Sequence, residues 1–366
     1  MSQFQLPLTA EYQSLLLSRT PMIDVRAPIE FMTGGLPFAT NLPFIVDDER
    51  QEIGICYKEK GQEAALALGY ERVNGALKDR RVAAWQLFLN QHPNAVLYCA
   101  RGGLRSQLSQ QWLADIGITC PRIDGGYKSL RNFMLQSLVN CCETQNFILL
   151  SGMTGTGKTD IIKTLSTSVD LEGAANHKGS SFGRPLGEQP AQIDFENQII
   201  LALMQVEHKY PERSIIIEDE SRNIGGRHLP QPLNVAMAES PMVVIDLPFE
   251  ERIDKLWREY VVERYQQTMA YHQENGEQVF ADYLIESLLR VKKRLGGQRT
   301  KEILTLMEGA IKTQHQDQFA SHHAWLEAIT TDYYDPMYLY QLDKRKHRIA
   351  FRGNHHEVIQ WLHEKQ

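Results

Sequence analysis

The run FILLSGMTGTGKTD, residues 147–160, constrains this chain more than any other feature. Gly152, Gly157, Lys158 and Thr159 satisfy G-x-x-x-x-G-K-[ST]. The motif sits between an apolar β-like run and a helical pattern, KTDIIKTLSTS, which is the context it requires. Backbone N–H groups of Met153, Thr154, Gly155, Thr156, Gly157 and Lys158 can wrap a diphosphate. Lys158 neutralises the terminal phosphates, the Thr159 hydroxyl can join a Mg²⁺ shell, and the helix N-terminus adds its dipole. The motif predicts a ligand bearing a diphosphate. A nucleotide is only the commonest such ligand.

A Mg²⁺-positioning acid is expected at the end of a neighbouring strand. SIIIEDE, residues 214–220, offers Glu218, Asp219 and Glu220; Asp219 is the choice, with Asp246 of VVIDLP as a competitor. HKGSSFGRP, residues 177–185, lies where such a fold carries substrate contacts, with Lys178 and Arg184 as its cations. Its plainer reading is a surface loop.

At 366 residues the chain exceeds one ordinary core, so two domains are expected. Apolar runs ending in turn residues alternate with helical patterns, which predicts parallel α/β architecture. PMIDVR (21–26), FATNLPF (38–44) and NAVLYC (94–99) read as strands of a first domain, 10–138. RSQLSQQWLADIG (105–117) reads as a helix with Leu108, Trp112, Leu113 and Ile116 on one face, stopped by Gly117. NFILLSG, SIIIEDE and MVVIDLP open a second domain, 145–366, whose later part reads as mostly helical and basic. No apolar run approaches the length of a membrane helix and no signal-peptide pattern opens the chain, so a cytoplasmic protein is expected. Five cysteines without zinc-ligand spacing argue against a disulfide framework.

YCARGGLRS, residues 98–106, is the second chemical feature. A strand, a cysteine, a glycine-containing loop and a helix beginning near an arginine together form an anion cradle. Ala100, Gly102, Gly103 and Leu104 would supply the cradle around Cys99, and Gly102 and Gly103 permit the backbone angles it needs. Arg101 and Arg105 add charge-assisted bonds. The expected species is an activated Cys99 thiolate, holding a chalcogen or attacking a phosphorus. The plain alternative is a structural cysteine at a strand end.

Two basic clusters lie further on. RVKKRLGGQRTK carries Arg290, Lys292, Lys293, Arg294, Arg299 and Lys301; KRKHRIAFR carries Lys344, Arg345, Lys346, Arg348 and Arg352. With Tyr333, Tyr334, Tyr338 and Tyr340 upstream of the second, they suggest contacts to single-stranded or loop RNA. A solvated helix face with packed tyrosines weighs more for the clusters taken alone. Arg290 to Arg299 can equally form a lid on a diphosphate. The net charge of −6 does not by itself mark a nucleic-acid binder.

IDVRAPIEFMTGGLPFATNLP and DGGYKSL resemble segments of the rhodanese-homology fold, in which the cysteine carries a persulfide. The loop departs from the common sulfurtransferase length, because five residues separate Cys99 from Arg105 as in the related dual-specificity phosphatases. A rhodanese-like α/β domain followed by a P-loop NTPase-like parallel α/β domain with a helical C-terminal portion resembles the bacterial tRNA 2-selenouridine synthase family. YCARGGLRS, SGMTGTGKTD, HKGSSFG and IIIEDESRNIG carry that resemblance. It implies conversion of wobble 2-thiouridine to 2-selenouridine in certain tRNAs, with selenophosphate as donor and an S-geranyl-2-thiouridine made from geranyl diphosphate. It implies no tightly bound cofactor, tRNA and a selenophosphate-producing enzyme as partners, and Cys99 as the covalent selenium carrier. Two rivals remain: a nucleotide-dependent enzyme with a Cys-x5-Arg phosphatase or sulfurtransferase domain, and a nucleotide-switched binding module. Tyr98, where such phosphatases usually carry histidine, weighs against the first; the intact Cys99 and Arg105 weigh against the second.

Overall fold

The computed structural model describes residues 6–365. They fall into two compact units, one of residues 6–140 with 191–205 and one of 141–190 with 206–365.

The first unit is built on β1 (Leu8–Thr9), β2 (Met22–Asp24), β3 (Ala39–Asn41), β4 (Val96–Tyr98) and β5 (Arg122–Ile123). They form one parallel sheet in the order β1-β5-β4-β2-β3. Strands flanked by helices on both faces need apolar side chains on both faces, and every residue of β2 and β4 is buried. Phe44, Trp85 and Trp112 stack beside β4 in the core, with ring centroids 4.9–6.4 Å apart.

The helix expected over 105–117 runs Leu104–Asp115, and Gly117 just beyond its cap has φ of +82°. Its buried face differs from expectation. Ile116 is exposed and Leu108 only partly buried, whereas Ser106, Ser109 and Gln110 are buried with Trp112 and Leu113. Hydrogen bonding makes that polar face tolerable: the Gln110 amide donates to the carbonyls of Pro7 (2.7 Å) and Cys120 (2.8 Å).

Residues 191–205, from the later half of the chain, belong to this unit. Asp194 accepts the Gly35 amide at 2.7 Å, and the Asn197 amide donates to the Gly35 carbonyl at 2.6 Å. Arg131 reaches both Asn197 and Glu196.

The second unit contains β6 (Phe147–Gly152), β7 (Ser168–Val169), β8 (Ile215–Glu218), the hairpin β9 (Asn223–Ile224) and β10 (Arg227–His228), then β11 (Met242–Ile245) and β12 (Ile349–Gly353). Its parallel sheet has the order β12-β11-β6-β8-β7, and every residue of β6, β8 and β11 is buried. Helices between Phe249 and Lys344 pack around Phe182, Phe280, Leu284, Leu288 and Trp325.

The end of the chain corrects one expectation. KRKHRIAFR is not a basic helical face, because its last four residues belong to β12, paired with β11. Arg348 donates to the carbonyls of Met237 and Ser240, Arg352 pairs with Asp246 and Arg345 with Asp219. These cations serve the fold. Among the described residues no helix is long and apolar enough to cross a membrane, and all five cysteines are free.

Candidate active sites

Cys99 follows β4 directly and is 3% exposed. Its Sγ lies 3.1 Å from the buried Ser106 Oγ and 3.8 Å from the Gly103 carbonyl. Ser106 Oγ also donates to that carbonyl at 3.0 Å. A second loop closes on the first. Tyr127 and Lys128 donate their amides to the carbonyls of Cys99 (2.9 Å) and Ala100 (3.0 Å), and Arg122 donates to the Gly102 carbonyl at 2.5 Å. Gly102 and Gly126 have φ of +64° and +62°, and a Cβ on Gly126 would strike the Cys99 carbonyl and the Gly102 nitrogen.

The Asp-x-Arg segment explains how the second loop is held. Arg26 bonds Asp24 at 2.6 Å and the Gly34 carbonyl at 2.8 Å, and its guanidinium lies 4.0 Å from the centre of the Tyr127 ring. The IDVR and DGGY segments therefore meet behind the cysteine loop.

Arg105 is held by Glu30 in a two-pronged pair at 2.5 and 3.1 Å, and Arg50 approaches the same carboxylate at 3.3 Å. Burial alone would raise the Glu30 carboxyl, but the Arg105 guanidinium beside it brings it below the ordinary range. Arg101 is exposed. Ser106 and Glu30 complete the geometry. Ser106 lies inside the YCARGGLRS motif, and Glu30 stands 75 residues from its partner.

The phosphate loop joins β6 to the helix Lys158–Thr164. Gly155 and Gly157 have φ of +86° and +73°, as the wrapped loop requires. A Cβ on Gly155 would meet Leu256 and the Arg252 carbonyl. Arg252 donates to the Thr154 carbonyl at 3.2 Å and is locked to Asp335 at 2.6 Å, which braces the loop from outside. Thr156 is buried and bonds back to the Met153 carbonyl at 2.8 Å. The Lys158 ammonium reaches the Gly152 carbonyl at 3.1 Å. Burial works against its charge, but the carboxylates of Glu220, Glu172 and Glu218 lift its pKa above the usual lysine value.

Thr159 donates to Glu172 at 2.9 Å and to Glu218 at 3.2 Å. Asp219, the acid expected to position Mg²⁺, lies elsewhere. Side chains alternate across a strand, so residue 218 at the end of β8 turns to Thr159 while Asp219 takes Arg345 (2.6 Å) and the Ser151 hydroxyl (2.6 Å). Asp246 is taken by Arg352. Burial pushes both Glu218 and Glu220 well above the ordinary carboxylate range. Burial therefore favours the neutral acid, and a hard divalent cation with oxygen ligands, placed between Glu218 and the Thr159 hydroxyl, would favour the carboxylate instead.

The expected RNA or diphosphate cations divide. Arg184 and Arg290 line a shared cavity with Arg264, which the sequence did not single out. Lys178 pairs with Glu259 at 2.6 Å. Lys292, Lys293 and Arg294 are exposed in the last turn of the helix Gly276–Leu295, and Arg299 is tied to Asp332 and Glu302. Of the tyrosines, Tyr333 and Tyr334 are core residues and Tyr338 meets Ser151 at 3.0 Å; Tyr340 is exposed beside Lys344.

A wrapped phosphate loop on one parallel sheet and a closed cysteine loop on another define a P-loop protein carrying a rhodanese-like unit. The model of the tRNA 2-selenouridine synthase AAA domain matches residues 145–366. The tRNA 2-selenouridine synthase of Cupriavidus pinatubonensis is 46% identical over 98% of both chains, and that of Marinobacter nauticus 45% identical over 98% of both. The protein of the same name from Hahella chejuensis is 44% identical over 94% of this chain and 92% of its own. A solved N-terminal domain of a putative ATP/GTP binding protein from Clostridium difficile 630 is 37% identical, covering 32% of this chain and 89% of that one, with a TM-score of 0.29. This chain belongs to the tRNA 2-selenouridine synthase family.

Proposed function

We propose that the protein converts 2-thiouridine at the wobble position of tRNA to 2-selenouridine, with selenophosphate as selenium donor and an S-geranyl-2-thiouridine formed from geranyl diphosphate. The observation that carries this reading is the pairing in one chain of an anion loop without a nucleophile and an anion loop built around a thiol. Thiocarbonyl sulfur leaves poorly until it is alkylated. In the first step that sulfur attacks the prenyl C1, the C–O bond breaks, and diphosphate departs with the electron pair. The amides of residues 153–158 and Lys158 stabilise the departing charge. Thr159 and Glu218 would hold a Mg²⁺ ion, which supplies further positive charge to the diphosphate when bound.

In the second step selenium adds at C2 and the geranyl thiolate leaves. Cys99 is the covalent participant, with Arg105 and Arg101 answering the anionic charge. Written as selenium transfer, Cys99 becomes Cys–S–Se⁻ and phosphorus leaves with two additional electrons, as phosphite. After the selenium displaces geranyl thiolate at C2, a thiol reductant must supply two electrons to cleave the S–Se bond and free Cys99. The Cys-x5-Arg spacing favours a second form. There the thiolate attacks phosphorus, selenide is released, and water returns the S-phosphocysteine to thiol and phosphate. The reading puts the enzyme in the cytoplasm, beside its tRNA and an enzyme that makes selenophosphate.

Nucleoside mass spectrometry on 2-thiouridine tRNA, with each donor omitted in turn, tests the proposal. It should show 2-selenouridine with both donors and the S-geranyl nucleoside when selenophosphate is withheld. Unchanged tRNA under all conditions would end it. Release of phosphate from an aryl phosphate would then favour the phosphatase reading.

A further inference from the structure

The second unit holds a cavity of about 800 Å³ that the reaction above leaves unused. Three arginines line it: Arg184 from the loop after the helix Leu171–Ala175, Arg264 opening the helix Arg264–His272, and Arg290 late in the helix Gly276–Leu295. Like charges repel at such range, so three guanidinium groups around one space call for a counter-charge. The protein supplies only part of it. Glu286 takes Arg184 at 2.8 Å and Arg290 at 3.7 Å. Arg264 has no ion pair among the described residues; it reaches the Pro185 carbonyl at 3.4 Å and lies 4.0 Å from the centre of the Tyr283 ring. The Nε atoms of Arg184 and Arg264 are buried without a hydrogen-bond partner. Burial, together with Arg184, lowers the pKa of both Arg264 and Arg290.

We infer that this cavity is a second anion site, built to take a phosphodiester and its unpaired nucleotide from the RNA substrate. The inference rests on the tRNA reading above. Charge selects the ligand. Three arginines face two carboxylates, Asp282 and Glu286, which leaves one positive charge with the histidines neutral. That balance suits the single charge of a phosphodiester better than a diphosphate with two or three. The walls agree, since Pro185, Leu186 and Val279 are the aliphatic side chains of the lining and give little length of apolar wall to a ten-carbon prenyl tail. The volume falls in the upper part of the range for ligand pockets, roughly 300–1,000 Å³. Arg264, backed by Tyr283, also supplies a guanidinium plane on which an unpaired base can stack.

Binding of the anticodon stem-loop across a series of KCl concentrations tests this, with geranyl diphosphate affinity measured in parallel. Arg264→Gln should lower the slope of log affinity against log salt by about 0.7, as expected for one lost phosphate contact on a single strand. It should leave geranyl diphosphate affinity unchanged. Arg290→Gln, a more exposed position, should move the slope in the same direction. Arg264→Lys should keep the slope and lose affinity, because charge is retained without the stacking plane. Wild-type slopes in both glutamine variants would overturn the inference, even with wild-type tRNA conversion intact. Weaker geranyl diphosphate binding with an unchanged slope would overturn it in favour of a diphosphate subsite. Failure of the wild-type protein to bind tRNA would remove the function reading as well.

Discussion

Replacing Gly126 by alanine tests how the cysteine loop is held. Gly126 has φ +62°, and an added Cβ falls on the Cys99 carbonyl oxygen and the Gly102 nitrogen, far inside van der Waals contact of about 3.5 Å. Both obstacles are backbone, so no rotamer change relieves them. The left-handed conformation costs a non-glycine residue about 1–2 kcal/mol. Pushing the two loops apart removes the bonds from Tyr127 and Lys128 to Cys99 and Ala100, about 1 kcal/mol each. The total is about 3–4 kcal/mol, a large part of the roughly 5–15 kcal/mol by which folded proteins are stable. With a typical slope of about 2 kcal/mol per molar urea, the unfolding midpoint of the first unit should fall by about 1.5–2 M. Peptide-mapped alkylation should find Cys99, now 3% exposed, reacting faster than in the wild type. Selenation should fall steeply while geranylation persists, since the phosphate loop lies in the other unit. A variant with the wild-type midpoint, wild-type Cys99 labelling and full selenation would refute the reasoning.

Cys99→Ser should block selenation and spare geranylation, whereas Lys158→Ala should damage geranylation first; equal loss of both steps in each variant, by nucleoside mass spectrometry, would show the division of labour to be wrong. Phosphorus NMR of the selenium step should show phosphate if Cys99 attacks phosphorus and phosphite if it takes selenium directly. Glu218→Gln should raise the melting temperature of the ligand-free protein at neutral pH while weakening any Mg²⁺ dependence of geranylation. The sign follows from burial: a carboxyl raised in the folded state loses stability as pH climbs from its unfolded value through its folded one, and the amide has no charge to bury. Glu30 is the opposite case. Its lowered carboxyl stabilises the first unit above its unfolded pKa, and that contribution should vanish as pH falls through the folded value; Glu30→Gln should flatten this acid limb of a denaturation series.

The two chemical loops were legible because each is local. Strand, turn and helix follow one another within about a dozen residues, and the glycines at 102, 155 and 157 mark where the backbone takes positive φ. Runs such as FILLSG and MVVI announced buried parallel strands for the same reason. What the sequence could not assign depends on residues that the sheet order brings together. Nothing in SIIIEDE says which carboxylate meets Thr159, since that depends on which face of β8 the phosphate-loop helix covers. Glu30 meets Arg105, and residues 191–205 join a unit that otherwise ends near residue 140. The basic run at the end of the chain reads as a solvated helix face, with RNA contacts as its rival, yet the fold around β12 sets Arg345 on Asp219, Arg352 on Asp246 and Arg348 on two carbonyls. Tertiary packing instead gathers Arg264, which no motif marks, with Arg184 and Arg290 around one cavity, the outer two 106 residues apart in sequence. Local motifs settle backbone geometry, which is decided by neighbours in sequence. Partners of charged side chains are settled by topology, because desolvation favours pairing a buried charge with whatever counter-charge the fold places beside it.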